Sequence, residues 1–135
     1  MSNTIIVVGA GVIGASTAFQ LATSDRTEVV VLDIGPAGGG MSSRSSALVR
    51  MHYAFEPEVR LAVESLAMFR DWPQLTGRPD PVRPCPFLRF VQPGEQEALR
   101  HNVAMQQACG AETELVDADR VRELEPGWVV DDAPL

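Results

Sequence analysis

Gly9, Gly11 and Gly14 stand in the run Gly9-Ala10-Gly11-Val12-Ile13-Gly14, and Asp33 follows 19 residues after the last of them. These types at this spacing suit the binding of a dinucleotide. Gly9 permits a tight turn, and Gly11 has no Cβ to keep a pyrophosphate from the backbone. Gly14 allows a helix to pack closely on the preceding strand. The N–H groups at the start of that helix, with the positive end of its dipole, face the phosphates. Asp33 is placed to accept hydrogen bonds from both adenosine ribose hydroxyls. A 2′-phosphate there would meet a negative charge, which argues against NADP.

The elements that must position these residues are legible on either side. Thr4-Ile5-Ile6-Val7-Val8 is a run of β-branched, mostly apolar residues, suited to a parallel strand covered on both faces. Residues 12–23 read as a helix with Ala15, Ala18, Phe19 and Ala22 toward the sheet. Glu28-Val29-Val30-Val31-Leu32-Asp33 reads as the second strand, with the acid at its tip.

A second glycine-rich stretch, Gly38-Gly39-Gly40, leads into Met41-Ser42-Ser43-Arg44-Ser45-Ser46. It reads either as a second anion cradle, with serine hydroxyls and Arg44 offsetting phosphate charge, or as a flexible polar linker. Residues 47–53 continue it as helix or extended chain. A standard NAD domain would add another alternating β–α unit after Asp33. A second loop and a long helix stand there instead, which favours FAD.

Pro57 opens a helix over roughly 57–72, with Val59, Ala62, Val63, Leu66, Met68 and Phe69 as its apolar face, ended by Asp71-Trp72-Pro73. Residues 73–94 are proline-rich and irregular, except for an alternating strand at Phe87-Leu88-Arg89-Phe90-Val91. A helix from Glu95 to Cys109 aligns Leu99, Val103 and Gln106 and is stopped by Gly110. A short strand over 112–116 and a helix over 118–124, capped by Asp117, complete the pattern.

The 135 residues suffice for a modest core. The net charge of −7, without a basic cluster, argues against nucleic acid or an anionic membrane as partner. The N-terminal apolar stretch lacks the basic residues of a signal peptide. No run reaches the about 18 apolar residues of a membrane span. Cys85 and Cys109 form no metal or redox motif and read as free thiols in a reducing, cytoplasmic compartment. No metal site is expected.

Three stretches, GAGVIGASTAFQLA, VVVLD and GGGMSSRSSALVRMHY, resemble the start of FAD-dependent amine oxidoreductases of the D-amino acid oxidase and sarcosine oxidase type. The later stretch FVQPGEQEALRHNVAMQQACGAETELVDADRVRELEPGW is similar to a sheet edge and helix of that family's substrate domain. The resemblance implies an α/β chain: an incomplete FAD-binding Rossmann-type βαβ unit plus part of an α+β substrate domain. Residues 1–53 would be the N-terminal part of the FAD domain. Residues 54–135 would be a helix and the strand-helix-strand-helix start of the substrate domain. Gly9, Gly11, Val12, Ile13 and Gly14 would hold the pyrophosphate, and Asp33 the ribose, where glutamate is commoner. Ser43, Arg44, Ser45, Ser46, Ala47 and Leu48 would line the pyrophosphate and the flavin ring. Arg50 matches a position that pairs with the substrate carboxylate, a task its planar fork suits; a surface or phosphate-pairing role is the alternative. His52 and Tyr53 border the active site or serve packing.

The implied reaction is oxidation of the C–N bond of an amino acid or secondary amine, by hydride transfer to flavin. Members of the family are considerably longer, with a discontinuous FAD domain, so the two strands here would expose apolar surface and open edges. The expectation is a divided enzyme of which this is the N-terminal subunit, active with a complementary C-terminal flavoprotein subunit in a hetero-oligomer. The alternatives are a non-catalytic nucleotide-binding or structural partner, or an inactive truncated flavoprotein.

Overall fold

The computed structural model describes residues 3–130. The chain divides into two compact units, Met1–Leu48 and Val49–Leu135.

The first unit is a βαβ element. β1 (Asn3–Val8) leads through the glycine turn into α1 (Val12–Ala22), and β2 (Thr27–Leu32) returns beside β1. The strands are parallel, with Ile5 opposite Val29 and Val7 opposite Val31. Alternation puts these four side chains on one face. α1 lies on that face, where Ala15, Ala18, Phe19 and Ala22 share a cleft lining with Val29 and Val31. The anticipated strands and helix are therefore present, with ends within one residue of those expected.

The opposite face pairs Ile6 with Val30 and Val8 with Leu32. No element of its own unit covers it: Val8 is 83% exposed and Ile6 59%. Only its far end is polar, where Thr4 Oγ1 donates to Glu28 Oε2 at 3.0 Å. Within the described residues of this unit, the coverage on both faces that suits such strands is half met.

After β2 the chain makes a single 3-10 turn, Met41–Arg44. Ser42 and Ser43 lie within this turn, and Ser45 and Ser46 follow it. Residues 46–53 belong to no helix or strand.

The second unit is helical. α2 (Glu56–Arg70) starts with Pro57 in its first turn and carries Glu56 and Glu58 there, with Arg70 in the last turn. This distribution suits the helix dipole. α3 (Trp72–Thr76) was not expected, because Trp72-Pro73 reads as a terminator. Proline in a first turn removes no hydrogen bond, so Pro73 opens a short helix instead of only closing one.

α4 (Gln96–Ala108) ends as expected at Gly110, whose φ is +86°. Gly110 N–H donates to the Gln107 carbonyl and Ala111 N–H to the Gln106 carbonyl, which satisfies the last turn. α5 (Ala118–Leu124) is capped by Asp117, whose Oδ1 accepts from Arg120 N–H at 2.8 Å.

The strands expected at 87–91 and 112–116 are corrected. Both stretches are irregular, and the sheet of the described residues holds only β1 and β2. A strand is stabilised by its neighbour, and neither stretch has one. Phe87 and Phe90 pack instead against His52 and Trp128, at ring-centroid distances of 6.4 and 6.1 Å. The core holds Val59 of α2, Val103 and Gln106 of α4, Ala111 and Val121. His52 and Tyr53 belong to this unit rather than to the first.

Candidate cofactor-binding site

The glycine turn is built as the chemistry requires. Gly9 has φ +100°, a conformation that side chains rarely adopt, and its N–H donates to the Leu32 carbonyl at 2.7 Å. A Cβ on Gly14 would lie 1.8 Å from the Gly9 carbonyl oxygen. The third glycine is thus fixed by contact between helix and turn. Gly11 faces the second loop, where an added Cβ would meet Ser42 Oγ at 3.2 Å.

Asp33, just past the end of β2, is drawn into this turn. Its Oδ2 accepts from Ala10 N–H at 2.6 Å and its Oδ1 from Gly35 N–H at 2.9 Å. The Ala10 bond, then the Gly35 bond, holds its pKa below the ordinary 3.8. Each carboxylate oxygen keeps a further lone pair for a hydroxyl. Asp33 lines an open cleft of about 700 Å³ together with Ala15, Ala18, Phe19, Val29 and Val31.

The two glycine loops are joined. Gly38 N–H donates to the Ala10 carbonyl at 2.8 Å, and Ser42 Oγ accepts from Val12 N–H at 2.9 Å. Ser42, absent from the expected site residues, thus acts as a remote cap on α1. Only the serine-rich context after the glycines hinted at such a role. With Val12 N–H taken by Ser42, the first-turn N–H groups of Ile13 and Gly14 have no acceptor within the helix.

Ser43 Oγ donates to the Gly40 carbonyl, and Ser45 Oγ accepts from Ala47 N–H. Both hydroxyls serve the loop's own turns. Ala47 holds a left-handed φ of +53°, which costs a non-glycine residue energy and fixes the chain's direction there. Arg44 lies in the last position of the 3-10 turn, Ser46 is exposed, and Leu48 is 54% exposed.

This donor set fits the adenosine diphosphate half of FAD. First-turn N–H groups and a glycine without Cβ suit a diphosphate. An anchored carboxylate beside an apolar cleft suits a ribose and its base.

In the second unit, the Arg50 guanidinium carbon lies 5.5 Å from the Tyr53 ring centroid, a cation–π contact. No carboxylate pairs with it among the described ion pairs. His52 packs on Phe87 and meets Gln106, a residue read from the sequence only as part of a helix face. Burial lowers the His52 pKa below the ordinary 6.5, and Arg89 and Arg50 push it further down. Among the described residues no cluster could hold a metal ion, and no helix is long and apolar enough to cross a membrane.

Comparison with known proteins agrees with this arrangement. The chain is 35% identical over 79 residues to L-saccharopine oxidase of Schizosaccharomyces pombe, a match covering 56% of the chain and 18% of that protein. It is 30% identical over 122 residues to the formaldehyde-forming 4-methylaminobutanoate oxidase of Paenarthrobacter nicotinovorans, covering 90% of the chain and 15% of that protein. The chain thus spans less than a fifth of the length of these curated relatives. The crystal structure of L-proline dehydrogenase from P. horikoshii shares the fold, with a TM-score of 0.72 at 21% identity over 93% of the chain and 33% of that structure. Residues 4–134 match the DAO family, described as FAD dependent oxidoreductase. The span of this match leads to one assignment: the chain belongs to the DAO family of FAD-dependent oxidoreductases.

Proposed function

We propose that this chain is the N-terminal subunit of a divided FAD-dependent enzyme that oxidises the C–N bond of an amino acid or secondary amine. The observation that carries the cofactor role is the junction of the two glycine loops at the start of α1, with Asp33 drawn in from β2. Gly9, Gly11, Val12, Ile13 and Gly14 take the pyrophosphate, Asp33 the ribose, and Ser43 to Leu48 the pyrophosphate and flavin side. Bound FAD supplies the acceptor for a hydride from the carbon beside the amine nitrogen. Arg50 holds the substrate carboxylate through two parallel hydrogen bonds, and Tyr53 steadies its guanidinium. The names of the relatives, which include an oxidase of 4-methylaminobutanoate and a dehydrogenase of L-proline, support a carboxylated amine as substrate.

The divided form is supported by the open apolar face of the sheet, where Ile6, Val8, Val30 and Leu32 await cover. A complementary C-terminal chain supplies that cover in this reading. Residues 1–53 serve as the N-terminal part of the FAD domain and residues 54–135 as the start of the substrate domain. A cytoplasmic location goes with the free cysteines Cys85 and Cys109.

The test is the visible absorbance of oxidised flavin, taken on the chain alone and after co-expression with its complementary chain. A yellow hetero-oligomer that turns over a carboxylated amine is expected. A colourless, nucleotide-free complex would sink the flavin reading and leave a structural partner. Hydrogen bonds to charged groups contribute about 1.5–3 kcal/mol, so Arg50→Lys should raise KM about 10- to 100-fold with little change in kcat. An unaltered KM removes the anchor role.

A further inference from the structure

Gln106 is fully buried, and its amide is used outside its own helix. Nε2 donates to the Tyr53 carbonyl at 2.9 Å and to His52 Nδ1 at 3.2 Å. This orientation is forced, because the amide oxygen in the same place would face the Tyr53 carbonyl oxygen. A hydrogen bond donated to Nδ1 places the proton of the neutral His52 ring on Nε2. Gln106 Oε1 and His52 Nε2 are then buried with no partner among the described residues. An apolar side chain of equal volume would fill the same space without the amide oxygen's desolvation cost, but would leave the Tyr53 carbonyl without its donor. Packing does not account for the amide.

The amide tethers a segment, residues 50–53, that lies outside every helix and strand. Tyr53 N–H donates to the Met51 carbonyl at 3.1 Å and closes a tight turn. The Arg50 guanidinium carbon then lies 5.5 Å from the Tyr53 ring centroid. One side chain of α4, 53 residues along the chain from Tyr53, thus grips the turn that carries the arginine's aromatic support.

We infer that Gln106 is the positioning residue for Arg50: by holding the Tyr53 carbonyl and the His52 ring it sets where the Tyr53 ring presents the guanidinium. The inference rests on the reading of Arg50 as the anchor of the substrate carboxylate.

Gln106→Met keeps the volume and removes both donated bonds. In the flavin-loaded protein, titration with acetate followed by flavin absorbance reports carboxylate binding, and acetamide serves as the uncharged counterpart. The expected result is an acetate Kd raised about tenfold and an unchanged acetamide Kd. Nitrogen-15 NMR should show His52 protonated on Nε2 in the parent protein and a mixture of tautomers in the variant. Unchanged acetate binding in the variant overturns the inference. So does an equal loss for acetate and acetamide, which marks plain packing, or a parent His52 protonated on Nδ1. Should Gln106→Met fail to fold, Tyr53→Leu decides: it removes the aromatic support and must show the same loss confined to acetate, and unchanged binding overturns the inference. Arg50→Met separates the two readings. If it loses acetate binding while Gln106→Met does not, positioning fails and the anchor stands. If it binds acetate as the parent does, the anchor reading fails and takes the inference with it.

Discussion

Gly14→Ala should break the cofactor turn by overpacking. The added Cβ would sit 1.8 Å from the Gly9 carbonyl oxygen and 3.0 Å from its carbon, both backbone atoms. Relieving the closer contact to 3.0 Å requires a shift of at least 1.2 Å between α1 and the turn. That shift pulls on Gly9 N–H, 2.7 Å from the Leu32 carbonyl, and on Ala10 N–H, 2.6 Å from Asp33 Oδ2. Overpacking of this kind costs about 1–3 kcal/mol, on the order of 5–15 °C in Tm for a small unit. Gly11→Ala is the matched comparison. Its Cβ would meet only Ser42 Oγ at 3.2 Å, the end of a short rotatable side chain, and its φ of −76° suits any residue. It should cost no more than about 0.5 kcal/mol in stability, yet lose flavin, because in the proposed site the methyl stands where the pyrophosphate approaches. Thermal unfolding and the flavin-to-protein absorbance ratio, measured on both variants, separate the two roles. A Gly14→Ala protein that melts within about 2 °C of the parent and keeps its flavin would refute the packing argument.

Two further outcomes follow from the hydrogen bonds and the buried ring. Ser42→Ala removes the acceptor of Val12 N–H and should lower stability by about 1 kcal/mol, read as a denaturation midpoint shift; an unshifted midpoint would deny Ser42 its capping role. His52 has a folded pKa below the ordinary 6.5, so between these two values the unfolded chain binds more protons than the folded one. Stability of the second unit should therefore be full above pH 6.5 and fall as pH drops through that window, then level off. His52→Gln should flatten this slope in denaturant titrations taken across the window, and an identical slope would place the titration elsewhere.

What was legible in the sequence was local. Gly9, Gly14 and Asp33 state a turn, a contact and a charge within one supersecondary unit, and Gly110 and Asp117 mark helix ends through their own conformations and side chains. What was illegible depends on partners far along the chain. Ser42 caps a helix 30 residues before it, and Gln106 reaches 54 residues back to His52. Alternation at 87–91 satisfies a strand's pattern, but a ladder needs a second strand that the pattern cannot supply. Trp72-Pro73 shows the converse, since one dipeptide both closes α2 and opens α3.

The uncovered face of β1 and β2 also bears on how much of this protein a cell can keep. A patch holding Val8 at 83% exposure and Leu32 at 50% attracts chaperones, proteases and other sticky surfaces until something occupies it. In the divided enzyme proposed above, the steady-state level of the chain would be set by the supply of the partner that covers that face, not by its own rate of synthesis. Surplus copies would be cleared, and the proposed assembly would keep its stoichiometry by degradation of the excess.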